Sequence, residues 1–322
     1  MKFLLGVDGG GTKTIVSIAN EFGEITGLSK TDSVDILNVP PEEVKNKIKK
    51  AIDESLSQAK IKIEDISFSC FGMSTFGDVP GTERKIEMMV EEILPKSMVV
   101  NDVRVALEGA LPKSPGMILL AGTGSMAMAK DKEERIFRVD GWGEYVGDLG
   151  SGYFIGRMIL QRSFEEYDGR REESSLLKMV KDFANVSDLR EILTRCKGFN
   201  VRTYIASFSK IACLAATNGI YSASDVISIA VEELKRSVKA LLNKLDFEPV
   251  PLAYAGGLFN CEYFKNEFMS VMKKVQGIEM VEPEFPPYIG SLLMAAKNIL
   301  SQSEFLSFYN GLHKNDKELL TI

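Results

Sequence analysis

The stretch Val7-Asp8-Gly9-Gly10-Gly11-Thr12-Lys13-Thr14 constrains everything that follows it. An apolar run, Phe3-Leu4-Leu5-Gly6-Val7, leads in, and a second, Ile15-Val16-Ser17-Ile18-Ala19, leads away. Both flanks read as strands, so the glycines fall at a hairpin tip. The GxxxxGK[ST] phosphate loop joins a strand to a helix. The spacing here differs, and the β-branched Thr12, Thr14, Ile15 and Val16 disfavour a helix. Gly9, Gly10 and Gly11 let backbone N–H groups approach an anion. Asp8 then stands where it can carry a metal that the anion also binds. Taken alone, the segment reads equally as a tight hairpin with a polar tip.

A chain of 322 residues exceeds the usual reach of one core, so two domains are expected. Hydrophobic content of 45% and charged content of 26% suit a soluble globular protein. A net charge of −6 argues against nucleic acid or an anionic membrane as the main partner. It leaves room for a nucleotide, whose phosphates amides and a divalent cation neutralise locally. No apolar stretch reaches the length of a membrane span, and the start lacks the pattern of an export signal. The expected compartment is the cytoplasm, and a homodimer is left open. Cys70, Cys196, Cys213 and Cys261 are scattered without CxxC spacing, which predicts reduced, mostly buried thiols. His313 is the only histidine, in a polar C-terminal stretch, so a Ser-His-Asp triad and a HExxH zinc site are excluded. Acid–base chemistry falls to carboxylates, Tyr, Lys or Cys.

Periodicity predicts β-β-β-α-β-α-β-α over roughly the first 110 residues, an open mixed sheet. Val44, Ile48, Ile52 and Leu56 give the first helix a core-facing stripe. Lys113-Ser114-Pro115-Gly116 is the best domain boundary. The opening pattern then recurs: strand Met117–Ala121, turn Gly122-Thr123-Gly124-Ser125, strand Met126–Ala129 and strand Ile136–Val139. This weak repeat suggests two related sheets, each offering a glycine hairpin. The expected division is 1–112, 113–300 and a tail 301–322, with helix 288–300 free to pack back on the first domain.

Two glycine hairpins on two domains suggest a clamp on a polyphosphate. Asp8 with Gly9, Gly10, Gly11, Thr12, Lys13 and Thr14 forms one jaw, and Gly122, Thr123, Gly124 and Ser125 the other. Phosphoryl transfer needs positioning and charge neutralisation above all, so amides, hydroxyls and an acid suffice. Asp102 lies between the jaws in sequence, at a strand end and a helix start. It reads as an N-cap, or as a general base kept ionised by the helix dipole and able to take a hydroxyl proton. Asn101 is a neighbouring contact. Asp148 reads as a cap for the next helix, or as a group for sugar hydroxyls or a hydrated metal. Trp142, between Gly141 and Gly143, is packing or a platform for a polar ring. Gly256-Gly257 is a tight turn or a bed for adenine.

These motifs, in this order, resemble the N-acetylglucosamine kinases within the BadF/BadG/BcrA/BcrD ATPase family. The residues that carry the resemblance are DGGGTKT at Asp8–Thr14, Asn101-Asp102, AGTGS at Ala121–Ser125, Gly141-Trp142-Gly143, GDLGS at Gly147–Ser151 and Ala255-Gly256-Gly257. The resemblance covers about Phe3 to Leu300. It implies an α/β fold of two ribonuclease H-like domains of the actin/hexokinase type with a cleft between them, and the cofactors ATP and Mg²⁺. It implies that Asp8 supports the metal through water, that both hairpins hold phosphates, and that Asp102 is the catalytic base. Asp35, Ser74, Asn101, Asp102, Gly141, Trp142 and Asp148 would lie near the sugar. Gly256 and Gly257 would lie near the adenosine, with the Ala216–Gly219 turn as a second contact. Kinases of this group often have Asn in the loop after the third strand, where this chain has Asp35, with Asn38 nearby. The acid changes the hydrogen bonds offered to the sugar and points toward glucosamine or another hexose as the alternative to N-acetylglucosamine.

The resemblance thus implies transfer of the γ-phosphate of ATP to the C6 hydroxyl of an amino sugar. Two other classes compete. The same family includes iron–sulfur activators of 2-hydroxyacyl-CoA dehydratases, which need cysteines placed to share a cluster; the four here form no such pair. A sensor that binds sugar and nucleotide without turnover is the third, and the acid at Asp102 argues against it.

Overall fold

The computed structural model describes residues 1–37, 39–197 and 200–319. They fall into two compact units, one of Met1–Ser114 with the chain from Pro283 onward, the other of Pro115–Glu282.

The first unit contains β1 (Phe3–Gly9), β2 (Lys13–Asn20), β3 (Ile25–Asp32), α1 (Pro41–Ala59), β4 (Ile66–Met73), α2 (Thr82–Glu91), β5 (Ser97–Asn101) and α3 (Asp102–Ala110). Its sheet runs β3-β2-β1-β4-β5, with β1–β2 and β2–β3 antiparallel and β4 and β5 added in parallel. Alternation along the strands feeds two cores. Leu5, Val7, Val16 and Ile18 pack with Val44, Ile48 and Ile52 of α1 and Ile86 and Val90 of α2. Leu4, Ile15 and Ala19 face the other way, into a core shared with Val105 of α3.

The second unit contains β6 (Gly116–Ala121), β7 (Ser125–Lys130), β8 (Ile136–Asp140), α4 (Gly152–Tyr167), α5 (Ser175–Ala184), α6 (Glu191–Arg195), α7 (Val201–Ser207), α8 (Ser209–Thr217), α9 (Tyr221–Leu242), β9 (Val250–Ala255), α10 (Glu262–Met272) and β10 (Ile278–Met280). Its sheet runs β10-β9-β6-β7-β8. Read from β8, this repeats the first sheet: three antiparallel strands, then two in parallel. The β1–β2 and β6–β7 turns are therefore equivalent connections, so the weak sequence repeat is a repeat of topology.

The remaining helices, α11 (Pro287–Ile299) and α12 (Gln302–Leu319), belong to the first unit. The division expected at residue 300 thus moves to Glu282/Pro283. Small residues explain the return. A Cβ on Gly6 would lie 2.2 Å from Ser291 Oγ, and one on Gly290 would lie 1.9 Å from the Val105 carbonyl. Backbone therefore meets backbone where α11 crosses β1 and α3, and Leu292, Leu293 and Ala296 fill the core beside them. The stretch expected as a tail is held too: Phe308, Tyr309 and Leu312 are buried in the same core, and Lys2 pairs with Glu304 at 2.8 Å. Residues 320–322 of that tail lie outside the described residues.

The cysteine expectation needs correction. Cys213 on α8 and Cys261, the N-cap of α10, are joined as a disulfide, while Cys70 and Cys196 are free. The pair is 48 residues apart in sequence, with α9 between, so no short spacing signals it. Among the described residues no helix is long and apolar enough to cross a membrane.

Candidate active site

In the first unit the carboxyl ends of three parallel strands lie level. Gly9 on β1 registers with Met73 on β4, and Met73 with Asn101 on β5. The Ser74 N–H continues the ladder by donating to the Gly9 carbonyl at 2.8 Å. Ligands of open α/β sheets bind at such an edge.

Asp8 is the penultimate residue of β1 and Asp102 the first of α3. Burial raises Asp8 to about 7, against the pull of the Lys13 ammonium. Burial also raises Asp102 to about 7, aided by repulsion from Asp8 and then Asp78, against the Val103 N–H and its own. The two acids are close enough to resist ionising together. The Asp102 Oδ1 accepts from Val103 N–H at 2.9 Å, and Asn101 Oδ1 accepts from the same N–H at 3.0 Å. Asn101 is thus the N-cap of α3, and Asp102, at the first helical position, shares the Val103 N–H with it. Its Nδ2 donates to the Phe76 carbonyl at 3.0 Å and to Asp78 Oδ1 at 3.1 Å. The expected sugar contact at Asn101 is therefore a residue already committed to holding the loop after β4.

The other expected residues of this unit gather around the same edge. Gly10 N–H donates to the Lys13 carbonyl at 3.1 Å and closes the first glycine turn. Gly9 is forced by packing: a Cβ there would lie 2.9 Å from both the Gly72 carbonyl and Val34 Cγ2. Gly11 is different, since a Cβ there would meet nothing within 4 Å and its φ is not left-handed. Neither packing nor conformation requires glycine at that point. Thr12 and Lys13 are exposed on the tip, whereas Thr14 is buried and its hydroxyl has no hydrogen-bond partner. Ser74 is 9% exposed, and its hydroxyl is likewise unpartnered. Asp35 is buried beside Val34, and its Oδ1 accepts from the Leu37 N–H at 2.9 Å. That bond makes Asp35 a turn-former first. Asn38 lies outside the described residues.

The second unit builds its glycine turn by a different set of bonds. Gly122 N–H donates to the Gly124 carbonyl at 2.9 Å, Gly152 N–H to the Gly122 carbonyl at 2.7 Å and Tyr153 N–H to the Thr123 carbonyl at 3.0 Å. Ser125 N–H donates to Asp148 Oδ1 at 3.3 Å, and Ser125 Oγ to the Leu149 carbonyl at 2.9 Å. The turn is therefore fixed to the GDLGS loop and the start of α4. The N-cap of α4 is Ser151, which accepts from Phe154 N–H at 3.1 Å, so Asp148 is not the cap. Asp148 is buried, which raises its carboxyl above the usual range against the opposing Arg202 guanidinium. Arg202 of α7 pairs with Asp148 and reaches Glu144 at 3.4 Å. Gly256 and Gly257 come to the same turn. A Cβ on Gly256 would lie 2.4 Å from the Ala121 carbonyl, and the Gly257 N lies 3.9 Å from the position of a Gly122 Cβ. Gly257 itself has open space around it. The disulfide ties α8, whose end is the Ala216–Gly219 turn, to the residue just after the 3₁₀ turn Gly257–Asn260.

Trp142 is 56% exposed, and the Arg138 guanidinium lies 4.1 Å from its ring centroid. Gly141 has φ +76, and a Cβ there would lie 2.3 Å from Met126 Cε, so that glycine is structural. Asp140 organises the loop: its Oδ1 accepts from Gly141 N–H and Asp148 N–H, each at 2.8 Å, and its Oδ2 from Leu149 N–H at 3.0 Å. Sequence reasoning missed Asp140 and Arg202. The first sat at a strand end next to a GWG motif, which was a readable signal. The second lies 54 residues from Asp148 on an unremarked helix, and no local pattern points to it.

The metal the resemblance implies can be tested against the donors present. Asp8 offers a hard oxygen ligand, and the repulsion between Asp8 and Asp102 favours a cation nearby. Among the described residues no three His, Cys, Asp or Glu side chains are placed to hold a metal by themselves. This fits Mg²⁺, which keeps most of its waters and takes one or two carboxylates plus substrate phosphates.

A family model for the BadF/BadG/BcrA/BcrD ATPases matches residues 5–295. An N-acetylmuramic acid/N-acetylglucosamine kinase of Clostridium acetobutylicum is 32% identical over 277 residues, covering 83% of this chain and 89% of the relative. An N-acetyl-D-glucosamine kinase of Dictyostelium discoideum is 24% identical over 317 residues, covering 91% and 98%. Among solved structures, a provisionally assigned N-acetylglucosamine kinase of Chromobacterium violaceum shares the fold with a TM-score of 0.79 at 21% identity, over 92% of this chain and 99% of that one.

Proposed function

This chain belongs to the BadF/BadG/BcrA/BcrD ATPase family, and on that premise we propose that it transfers the γ-phosphoryl group of ATP to the C6 hydroxyl of an N-acetylated amino sugar, N-acetylglucosamine first. The observation that carries the reading is Asp102. It is a carboxyl at the first position of a helix whose N-cap is Asn101, and it is held near neutrality beside a second acid. A general base works best when its proton affinity lies near the operating pH.

In the proposed reaction Asp102 accepts the proton of the sugar hydroxyl as that oxygen bonds to the γ-phosphorus. The bond from the γ-phosphorus to the leaving oxygen breaks, and ADP departs. Bound Mg²⁺ supplies charge neutralisation at the phosphates, and Asp8 would hold it through water. The Gly9–Thr14 and Gly122–Ser125 turns would present amides to the phosphates. Gly11 supports that role, because neither crowding nor a left-handed φ explains its lack of a side chain. Gly256 and Gly257 would lie against the adenosine. Asp35, Ser74, Gly141, Trp142 and Asp148 would face the sugar. Ser74 has the strongest support, through its unpartnered buried hydroxyl. Two relatives whose names carry N-acetylated amino sugars support the acetamido substrate over glucosamine.

An ADP-release assay over N-acetylglucosamine, N-acetylmuramic acid, glucosamine and glucose tests the reading. Sugar-dependent ADP release, strongest with the N-acetylated sugars, is expected. Release that does not depend on sugar would remove the kinase assignment.

A further inference from the structure

Thr75 lies directly after Ser74 and has φ +68, in the left-handed region. For a β-branched residue that conformation is a genuine outlier. Its hydroxyl is shut from solvent and has no hydrogen-bond partner, as is the Ser74 hydroxyl beside it. Two consecutive buried hydroxyls without partners, one on a strained backbone, are costly to a chain that gains nothing from them.

The surrounding bonds explain how the strain is maintained. The Ser74 N–H is fixed to the Gly9 carbonyl at 2.8 Å. The Thr75 carbonyl accepts from Thr82 Oγ1 at 3.0 Å and from Asp78 N–H at 3.1 Å. Asn101, the residue before Asp102, grips the Phe76 carbonyl and Asp78. Thr75 is thus locked between the glycine turn on one side and the start of α3 on the other. Gly77 and Gly81, with φ +79 and +85, turn the loop that follows, and a Cβ on either would meet nothing within 4 Å.

We infer that Thr75 is a specificity-determining residue of the acceptor subsite, its Oγ1 donating or accepting a hydrogen bond with a hydroxyl of the sugar once the loop admits it. The inference rests on the kinase reading above. It adds a residue that neither the sequence motifs nor that reading assigns.

Three variants test it, each assayed with N-acetylglucosamine and ATP and each melted without ligands. Thr75→Val keeps the shape and removes the hydroxyl, and is expected to raise KM for the sugar about tenfold with KM for ATP unchanged. Thr75→Ser keeps the hydroxyl and should stay within about threefold of the parent. Thr75→Gly relieves the left-handed backbone, so it should melt several degrees higher yet show the same rise in sugar KM as the valine variant. A purely structural Thr75 would move the melting temperature alone. Sugar KM unchanged in both Val and Gly variants, or lost equally in Ser and Val, overturns the inference. A parent protein that phosphorylates no amino sugar overturns the kinase reading itself, and the inference with it.

Discussion

The carboxyl of Asp8, near the end of β1, repels that of Asp102 at the start of α3, and both are held up to about 7. The two groups are the ends of neighbouring structural elements, brought level by the parallel register of β1, β4 and β5. An acid pair of this kind costs stability in the absence of ligands. Sites that do chemistry keep such groups in spite of the cost.

That cost gives a pH-dependent prediction. In the unfolded chain Asp102 loses its proton near the ordinary 3.8, and in the folded chain near 7. Between those values the unfolded state holds fewer protons, so folding stability falls as pH rises, and the loss is complete above about 7. Asp102→Asn removes the charge without changing shape. The ligand-free variant should gain about 1–2 kcal/mol at pH 8, after allowance for partial solvent screening. It should gain nothing below about pH 3, where the parent acid is protonated in both states. Denaturant melts of the two proteins across that range check this. An equal gain at every pH would contradict it.

The glycines separate into those the fold needs and those it does not. Gly11→Ala and Gly257→Ala place a methyl group in open space. Both variants should fold with melting temperatures within a few degrees of the parent. If the two amides approach ATP closely, each should raise KM for ATP about tenfold or more. Gly290→Ala should behave oppositely. Its methyl would lie 1.9 Å from the Val105 carbonyl, so about 3 kcal/mol of stability is expected to go.

Reduction of Cys213–Cys261 opens a closed loop of 48 residues. The entropy released to the unfolded chain predicts a loss of about 2–4 kcal/mol. Cys261 directly follows the Gly257–Asn260 turn, so weaker ATP binding with unchanged sugar binding should accompany the loss. Thermal melts and nucleotide titrations with and without a phosphine reductant, repeated on Cys213→Ser, measure both effects. A protein indifferent to reductant would show that the bridge carries neither.

Local patterning made most of the elements legible. The apolar runs flanking Asp8–Thr14 became β1 and β2, and the four-residue spacing of Val44, Ile48, Ile52 and Leu56 became the buried face of α1. The resemblance between Gly9–Thr14 and Gly122–Ser125 pointed to a repeat that sheet order then made concrete. What could not be read was what depends on distant partners. The small residues of α11 were visible, but not that Gly6 and Gly109 left room for them, which is why the unit boundary moved. The disulfide and the Arg202–Asp148 pair join segments tens of residues apart, with no local spacing to reveal them. In sequence Asp102 reads as an N-cap or a base, and Asn101 only as a neighbouring contact. Only the hydrogen bonds of Val103, Phe76 and Asp78 assign the capping to Asn101 and leave Asp102 for another task.

That task is acceptance of the sugar hydroxyl's proton, and a comparison of parent and variant tests it. Parent and Asp102→Asn proteins are each given ATP, Mg²⁺ and N-acetylglucosamine, the phosphosugar is quantified by phosphorus NMR, and ATP affinity is measured in parallel by calorimetry. Phosphosugar is expected from the parent, with a loss of about 10²–10⁴-fold in rate for the variant and ATP affinity nearly unchanged. Phosphosugar formed by the variant at the parent's rate would contradict that role for Asp102.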